Sequence, residues 1–173
     1  EKTYNAVVNS FKNVKKIEKP PSDITVILNA YRRPYNLEDQ IQAIRSQDVP
    51  PREIWLWVND HEDNHGYPFE ELGVDRIFKN DHNWKFYGRF AAALLADTKF
   101  VAIFDDDTVP GSKWFSNCLK THSTHPGILG SAGVILKDSK YYMKHDRCGW
   151  PTHNSNVTPV DLVGHAWFFE RDW

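Results

Sequence analysis

Three short apolar runs, Ile24 to Leu28, Ile54 to Val58 and Phe100 to Phe104, recur along this chain with helical spacing between them. Each is long enough for a buried strand and too short for a helix, and the first two are rich in β-branched and aromatic residues. Between those two, Leu37, Ile41 and Ile44 share one helical face, and Pro50-Pro51 stops the pattern. Strand, helix and strand in that order predict a parallel pair joined by a crossover helix. A short strand near Ile77 and a helical face of Phe86, Phe90, Ala93 and Leu94 precede the third run. A second face of Trp114, Phe115, Cys118 and Leu119 follows it. Two more strands are predicted at 128–136 and 161–169, with a polar, aromatic stretch at 137–159 between them. The expected fold class is α/β, one domain with a mostly parallel central sheet flanked by helices, as the 173-residue length allows. Residues 1–22, with Val7, Phe11 and Val14 at helical spacing and then lysines and Pro20-Pro21, read as a leader or linker to a domain at 23–173.

In open α/β sheets ligands bind beyond the carboxyl ends of the strands. The loops there carry Tyr31-Arg32-Arg33, Asn59-Asp60 and Asp105-Asp106-Asp107, so all three are expected to face one crevice. In an extended segment alternate side chains share a face, which would project Asp105 and Asp107 together and turn Asp106 away. Crowded carboxylates repel unless a cation compensates, and Mg²⁺ or Mn²⁺ held by one or two carboxylates plus a substrate phosphate is the usual solution. The competing reading is an acidic turn that caps a helix starting near Ser112, although a cap needs one short polar side chain and not three.

A formal net charge of -2 with dispersed basic residues gives no reason to expect a nucleic-acid partner. Two cysteines, Cys118 and Cys148, are at no metal-site spacing and imply no disulfide framework. No apolar run approaches the ~20 residues that span a bilayer. The chain opens with Glu1, so it is expected to be a soluble domain, either cytoplasmic or a lumenal fragment whose anchor is removed. Asn156-Val157-Thr158 is a glycosylation triplet of the kind that also arises by chance.

The runs Ile24 to Pro34, Ile44 to Gln47, Ile54 to Asp60, Arg89 to Ala93 and Asp105 to Asp107, in that order and spacing, resemble the nucleotide-sugar half of glycosyltransferases with the Rossmann-like GT-A fold. Family 2 with its viral and eukaryotic relatives is the nearest likeness, over residues 24 to 173. The resemblance implies that Ala30, Tyr31 and Arg32 lie under the nucleobase and ribose of a nucleoside-diphosphate sugar. It implies further that Asp60 accepts a hydrogen bond from a uracil-like base, Arg89 faces the diphosphate, Asp105 lies near the ribose and Asp107 binds Mn²⁺ or Mg²⁺. Asp106 would serve the ribose or the chain itself. For Arg89 the residues alone favour a solvated arginine on a helix. His165 is a candidate second metal ligand or diphosphate contact, and Trp167 a candidate platform for the acceptor sugar, each with a core role as the alternative.

The implied reaction moves a sugar to an acceptor hydroxyl of a glycan, lipid or protein, with inversion if a carboxylate general base stands at that hydroxyl. In the family that base lies on an acidic pair after a stretch resembling Gly164 to Phe169. This sequence ends at Trp173, soon after that stretch and without the pair. The expectation is therefore a domain truncated before its base, which would lie beyond Trp173, with Asp161 as the substitute candidate. Two other readings compete. Asp105 to Thr108 after an apolar strand also resembles the first motif of haloacid-dehalogenase-type phosphohydrolases, a family that places it on the first strand. A non-catalytic nucleotide-sugar-binding module is the third.

Overall fold

The computed structural model describes residues 22–138, 140–152 and 154–173. The expected leader period at Val7, Phe11 and Val14 lies outside the described residues, as does His153. The central sheet has five strands: β1 (Ile24–Ala30), β2 (Glu53–Val58), β3 (Arg76–Lys79), β4 (Phe100–Phe104) and β8 (Ala166–Glu170). Their order is β3-β2-β1-β4-β8, and only β8 runs antiparallel. A second, three-stranded antiparallel sheet has the order β6-β5-β7, from β5 (Ala132–Leu136), β6 (His145–Gly149) and β7 (Leu162–Gly164).

The alternation of side chains along the strands divides the core into two layers. Val26 and Leu28 of β1, with Ile54, Leu56 and Val58 of β2, face α1 (Leu37–Arg45) and α3 (Trp114–Thr124), whose Leu37, Ile41, Ile44, Phe115 and Cys118 close that layer. Ile27, Trp55, Val101 and Ile103 face the other way, onto Ala92 of α2 (Tyr87–Ala92) and the 3-10 turn Ala93–Leu95. β1 is buried along its whole length, as a central parallel strand covered on both faces must be.

Four expectations need correction. The strand expected at 128–136 begins only at Ala132, with Leu129 making an isolated bridge to Phe168. The strand expected at 161–169 is two strands, β7 and β8, broken at His165, whose φ is 66°. The stretch 137–159 contains β6, a strand without apolar alternation because its sheet leaves much of its surface to solvent. Of the expected face Phe90 and Ala93 do pack into the core, but Phe86 and Leu94, flanking α2, are exposed, and α2 itself buries Gly88, Arg89 and Ala92. The helix is rotated from the expected face because Gly88 lies against the Trp57 ring and Arg89 reaches inward.

Candidate functional site

The chain builds β1, β2 and β3 outward and then returns to place β4 on the other side of β1. The order of strands thus reverses between β1 and β4, which opens a crevice at their carboxyl ends. Asp105 follows β4 directly, and Arg33 and Asn36 lie in the loop after β1.

The three aspartates sit in a turn, not in the strand. Thr108 N donates to Asp105 O at 3.2 Å, and the turn is gripped through its backbone by amides from the β1–α1 region. Gln40 Nε2 donates to Asp105 O at 2.6 Å and Thr108 O at 2.8 Å, and Asn36 Nδ2 donates to Asp106 O at 2.9 Å. The aspartates do not cap α3. Its first N–H groups, on Trp114 and Phe115, donate instead to Gln47 Oε1 at 2.9 and 3.3 Å, and its N-cap Lys113 makes no side-chain cap.

Within this turn Asp105 and Asp107 converge as expected, and His165 joins them. One ligand atom from each of the three lies within 4.8 Å of the other two, the one such group among the described residues. His165 arrives there through its left-handed backbone, which separates β7 from β8 at a cost of about 1 kcal/mol or more for a residue with a Cβ. Its carbonyl accepts from Asp105 N at 3.0 Å, extending the β4–β8 ladder by one bond. Backbone strain at a residue that is also a potential ligand points to function.

Arg89 is buried, and its Nη2 lies 2.6 Å from Asp105 Oδ1. The solvated arginine favoured by composition is therefore not what the fold makes. Burial holds the Asp105 carboxyl above its usual range and the charge of Asp107 adds to this, while Arg89 and His165 pull it back. Gln40 Oε1 and Arg89 Nε are buried beside this turn with no hydrogen-bond partner among the described residues. Asp106 does not turn away from its neighbours: Arg33 Nη1 donates to Asp106 Oδ1 at 3.0 Å and to Asp107 Oδ2 at 2.9 Å.

At the β1 and β2 ends, Ala30 is buried and its carbonyl accepts from Asn59 N at 2.9 Å. The Tyr31 ring meets His61 edge-on at 4.9 Å, and Arg32 is exposed. Asp60 is exposed and Oδ1 lies 3.2 Å from His65 Nε2. Its neighbour Asn59 is buried and fully engaged, donating to Asn29 Oδ1 and Lys85 O and accepting from Trp57 Nε1 and Trp84 N.

Two expected residues are placed elsewhere. Asp161 Oδ2 accepts from Leu136 N at 2.7 Å and so ties β5. It precedes β7, and four extended residues at roughly 3.3 Å each put it well away from His165. Trp167 packs with Phe90 and lies under the Arg89 guanidinium, 5.1 Å from ring to Cζ, with Nε1 donating to Val163 O. One face is thus taken by Arg89 and an edge contact by Phe90. Trp173, beyond which the base is expected, follows the end of β8 that is opposite to His165. Its N donates to Glu170 O at 3.3 Å and its exposed ring lies 5.6 Å from that of His122, on α3. Because β8 is antiparallel to β4, Trp173 stands at the amino-terminal end of β4, away from the crevice. Trp150 is the exposed aromatic that meets the cluster, with its ring 5.3 Å from that of His165. It borders a cleft of about 820 Å³ between α3 and the small sheet.

Residue reasoning put Arg33 in a loop facing the crevice without giving it a role, and it missed Gln40 and Asn36 as parts of the site. A signal existed for Gln40 alone, a polar residue on the stripe of Leu37, Ile41 and Ile44.

Several solved structures share this fold. A mannosyltransferase from Pyrobaculum calidifontis, in complex with GDP-Man and Mn²⁺, aligns over 98% of this chain with TM-score 0.59 and 17% identity. Residues 1–349 of S. aureus TarS in complex with UDP-GlcNAc align over 86% of it, with TM-score 0.55 and 12% identity. The 4-diphosphocytidyl-2C-methyl-D-erythritolsynthase of Anaerococcus prevotii does so over 86% with TM-score 0.55 and 14% identity. The chain spans 51% of the mannosyltransferase and 45% of the TarS fragment. Among curated proteins none matches the chain. At these identities the likeness is one of fold, a mostly parallel Rossmann-like GT-A sheet flanked by helices. The family model of glycosyl transferase family 2 matches residues 25–171, from the second residue of β1 to just past β8 and across every element of the crevice. By that match the chain belongs to glycosyl transferase family 2.

Proposed function

We propose that this chain carries the donor site of a metal-dependent transferase that takes a sugar from a UDP-linked donor and passes it to an acceptor hydroxyl with inversion. The observation that carries the reading is the convergence of Asp105, Asp107 and His165 at the switch between β1 and β4. The donor set fits a divalent cation: the three carboxylates Asp105, Asp106 and Asp107 outnumber their counter-ions Arg89 and Arg33, and the imidazole nitrogen of His165 favours Mn²⁺ over Mg²⁺. Such a cation, when bound, stabilises charge that develops on a departing diphosphate. The solved complexes with GDP-Man and Mn²⁺ and with UDP-GlcNAc support the same class of donor.

Each residue then has a task. Asp107 and His165 would hold the cation, Asp105 would join them or accept from the ribose, and Arg89 favours the ionised form of Asp105 against the opposing effect of its burial. Gln40 and Asn36 hold the turn rigid, so that the carboxylates need not reorganise when charge develops. Asp60, ionised and able only to accept, suits the imide N–H of uracil, with Ala30, Tyr31 and Arg32 beneath the nucleoside. The acceptor, a glycan, lipid or protein hydroxyl, would enter from the cleft bordered by Trp150. Inversion requires a carboxylate base at that hydroxyl. Asp161, committed to Leu136 N, is given no proton-transfer role. A base supplied from beyond Trp173 would have to return along the length of β8 to reach the acceptor.

The phosphohydrolase reading has no support in this arrangement. It requires the aspartates on the first strand, whereas they follow β4, and Asp105 is bound to a buried arginine. Calorimetry of UDP with Mn²⁺, and again in excess chelator, tests the proposal. Binding is expected to weaken sharply in chelator, and equal binding in both would overturn the metal assignment. Release of sugar from a UDP-sugar separates an enzyme from a module that only binds.

A further inference from the structure

Arg33 belongs to the loop after β1 but spends its charge on the turn after β4. A single nitrogen, Nη1, serves both Asp106 Oδ1 and Asp107 Oδ2. Among the described residues Nε and Nη2 make no hydrogen bond, and the side chain is 45% exposed. Three of its five N–H donors are therefore unpaired among the described residues, in the fork geometry that matches phosphate oxygens. Arg89 offers a contrast. Its side chain is 8% exposed, so it is fixed as the counter-ion of Asp105, while Arg33 is free to leave.

We propose that Arg33 is an exchangeable counter-ion: it competes with a divalent cation for Asp107, and once displaced it becomes a ligand of the donor's diphosphate. This rests on the metal and diphosphate reading given above. The physical reason is the sum of charges at one carboxylate. Asp107 belongs to the group that would hold the cation and is also the acceptor of Arg33 at 2.9 Å. A doubly charged ion arriving there repels the guanidinium and withdraws the negative charge that held it. A diphosphate arriving beside the ion restores negative charge within reach of the same loop. Metal and nucleotide thereby help each other to bind, and the coupling is reciprocal.

The consequence is a pair of effects with opposite sign. Arg33→Ala is expected to bind Mn²⁺ alone about threefold to fivefold more tightly than the wild type, the range set by loss of one half-exposed ion pair. The same variant is expected to bind UDP in saturating Mn²⁺ about tenfold to a hundredfold more weakly, as charge-assisted hydrogen bonds to phosphate are lost. Arg33→Lys keeps the competing charge without the fork, so its Mn²⁺ affinity should stay near the wild type while UDP weakens. Electron paramagnetic resonance of free Mn²⁺ and calorimetry of UDP read the two effects, with thermal melts to confirm folding. If Mn²⁺ binding by Arg33→Ala is unchanged or weaker, the two cations share Asp107, one oxygen each, and the exchange is overturned. If UDP affinity is unchanged, the diphosphate role is overturned. If the wild type binds neither Mn²⁺ nor UDP, the donor-site reading fails and this proposal fails with it.

Discussion

At the scale of single residues, the site is a problem in charge compensation. Asp105 carries a carboxyl pushed upward by burial, so its ionised form weakens the fold: stability from this group is full below the ordinary carboxylate range and declines as pH rises through its raised pKa. Arg89 is what makes the ionised form tolerable. Arg89→Met should therefore destabilise the protein by about 3 kcal/mol at neutral pH, the cost of leaving one member of a largely buried pair. The loss should shrink in acid as Asp105 takes up a proton, and a second change, Asp105→Asn, should recover most of it. Urea unfolding at pH 7 and pH 4.5 checks both, and a penalty that does not vary with pH would mean that Arg89 acts by packing alone. Asp60 is a different case, exposed, with its carboxylate bound among the described residues to His65. Asp60→Ala should cost uridine nucleotides on the order of 1.5 to 3 kcal/mol of binding while leaving Mn²⁺ affinity unchanged. Asn59 cannot substitute, since its amide oxygen and nitrogen are both engaged by the protein. Unchanged UDP affinity in the variant would therefore remove uracil recognition from this loop.

At the scale of elements, α2 shows how a close approach overrides a hydrophobic pattern. Gly88 lies so near β2 that a Cβ would stand 2.1 Å from the Trp57 ring. Gly88→Ala would add up to ~1 kcal/mol of helix propensity, but overpacking of this kind costs about 1 to 3 kcal/mol and should win. Displacement of Trp57 would also pull Nε1 from Asn59 Oδ1 and disturb the loop that carries Asp60. The expected outcome is a lower melting temperature together with weaker UDP binding, whereas a gain in stability would show that the ring has room to move. Strand and helix periods were legible where a segment buries a continuous face, as in β1, β2, β4, α1 and α3. They misled where one residue breaks the run. Nothing in Asp161 to Phe169 marks His165 as left-handed, because its conformation is set by its bond to Asp105 and by the two sheets it joins.

At the scale of the molecule, Cys118 reports on the whole core. It closes the layer between α3 and β1, and burial raises its thiol from 9.0 to about 12. Iodoacetamide at pH 8 should thus modify Cys118, 8% exposed at the wall of the cleft, far more slowly than half-buried Cys148 and at a rate that rises with denaturant. Equal rates in the native protein would show that α3 opens locally. The same shift makes stability full below pH 9 and lost as pH rises toward 12, by about 1.4 kcal/mol per unit from this group, a slope that Cys118→Val should lack.

From sequence alone came the alternation of strands and helices, the crevice at their carboxyl ends and the pairing of Asp105 with Asp107. The first two rest on local periods that neighbouring residues encode by themselves, whereas the pairing was argued from the two-residue repeat of extended chain and is in fact made by a turn that also keeps Asp106 beside its neighbours. The tertiary structure alone decided which charges meet. Arg33 reaches across 74 residues to Asp107, Arg89 turns inward to Asp105, and His165 completes the group from the far edge of the sheet. The sequence had offered Arg33, Arg89 and His165 for the crevice, but their partners are distant along the chain and fixed by strand order, so no local pattern assigned any of them to Asp105 or Asp107.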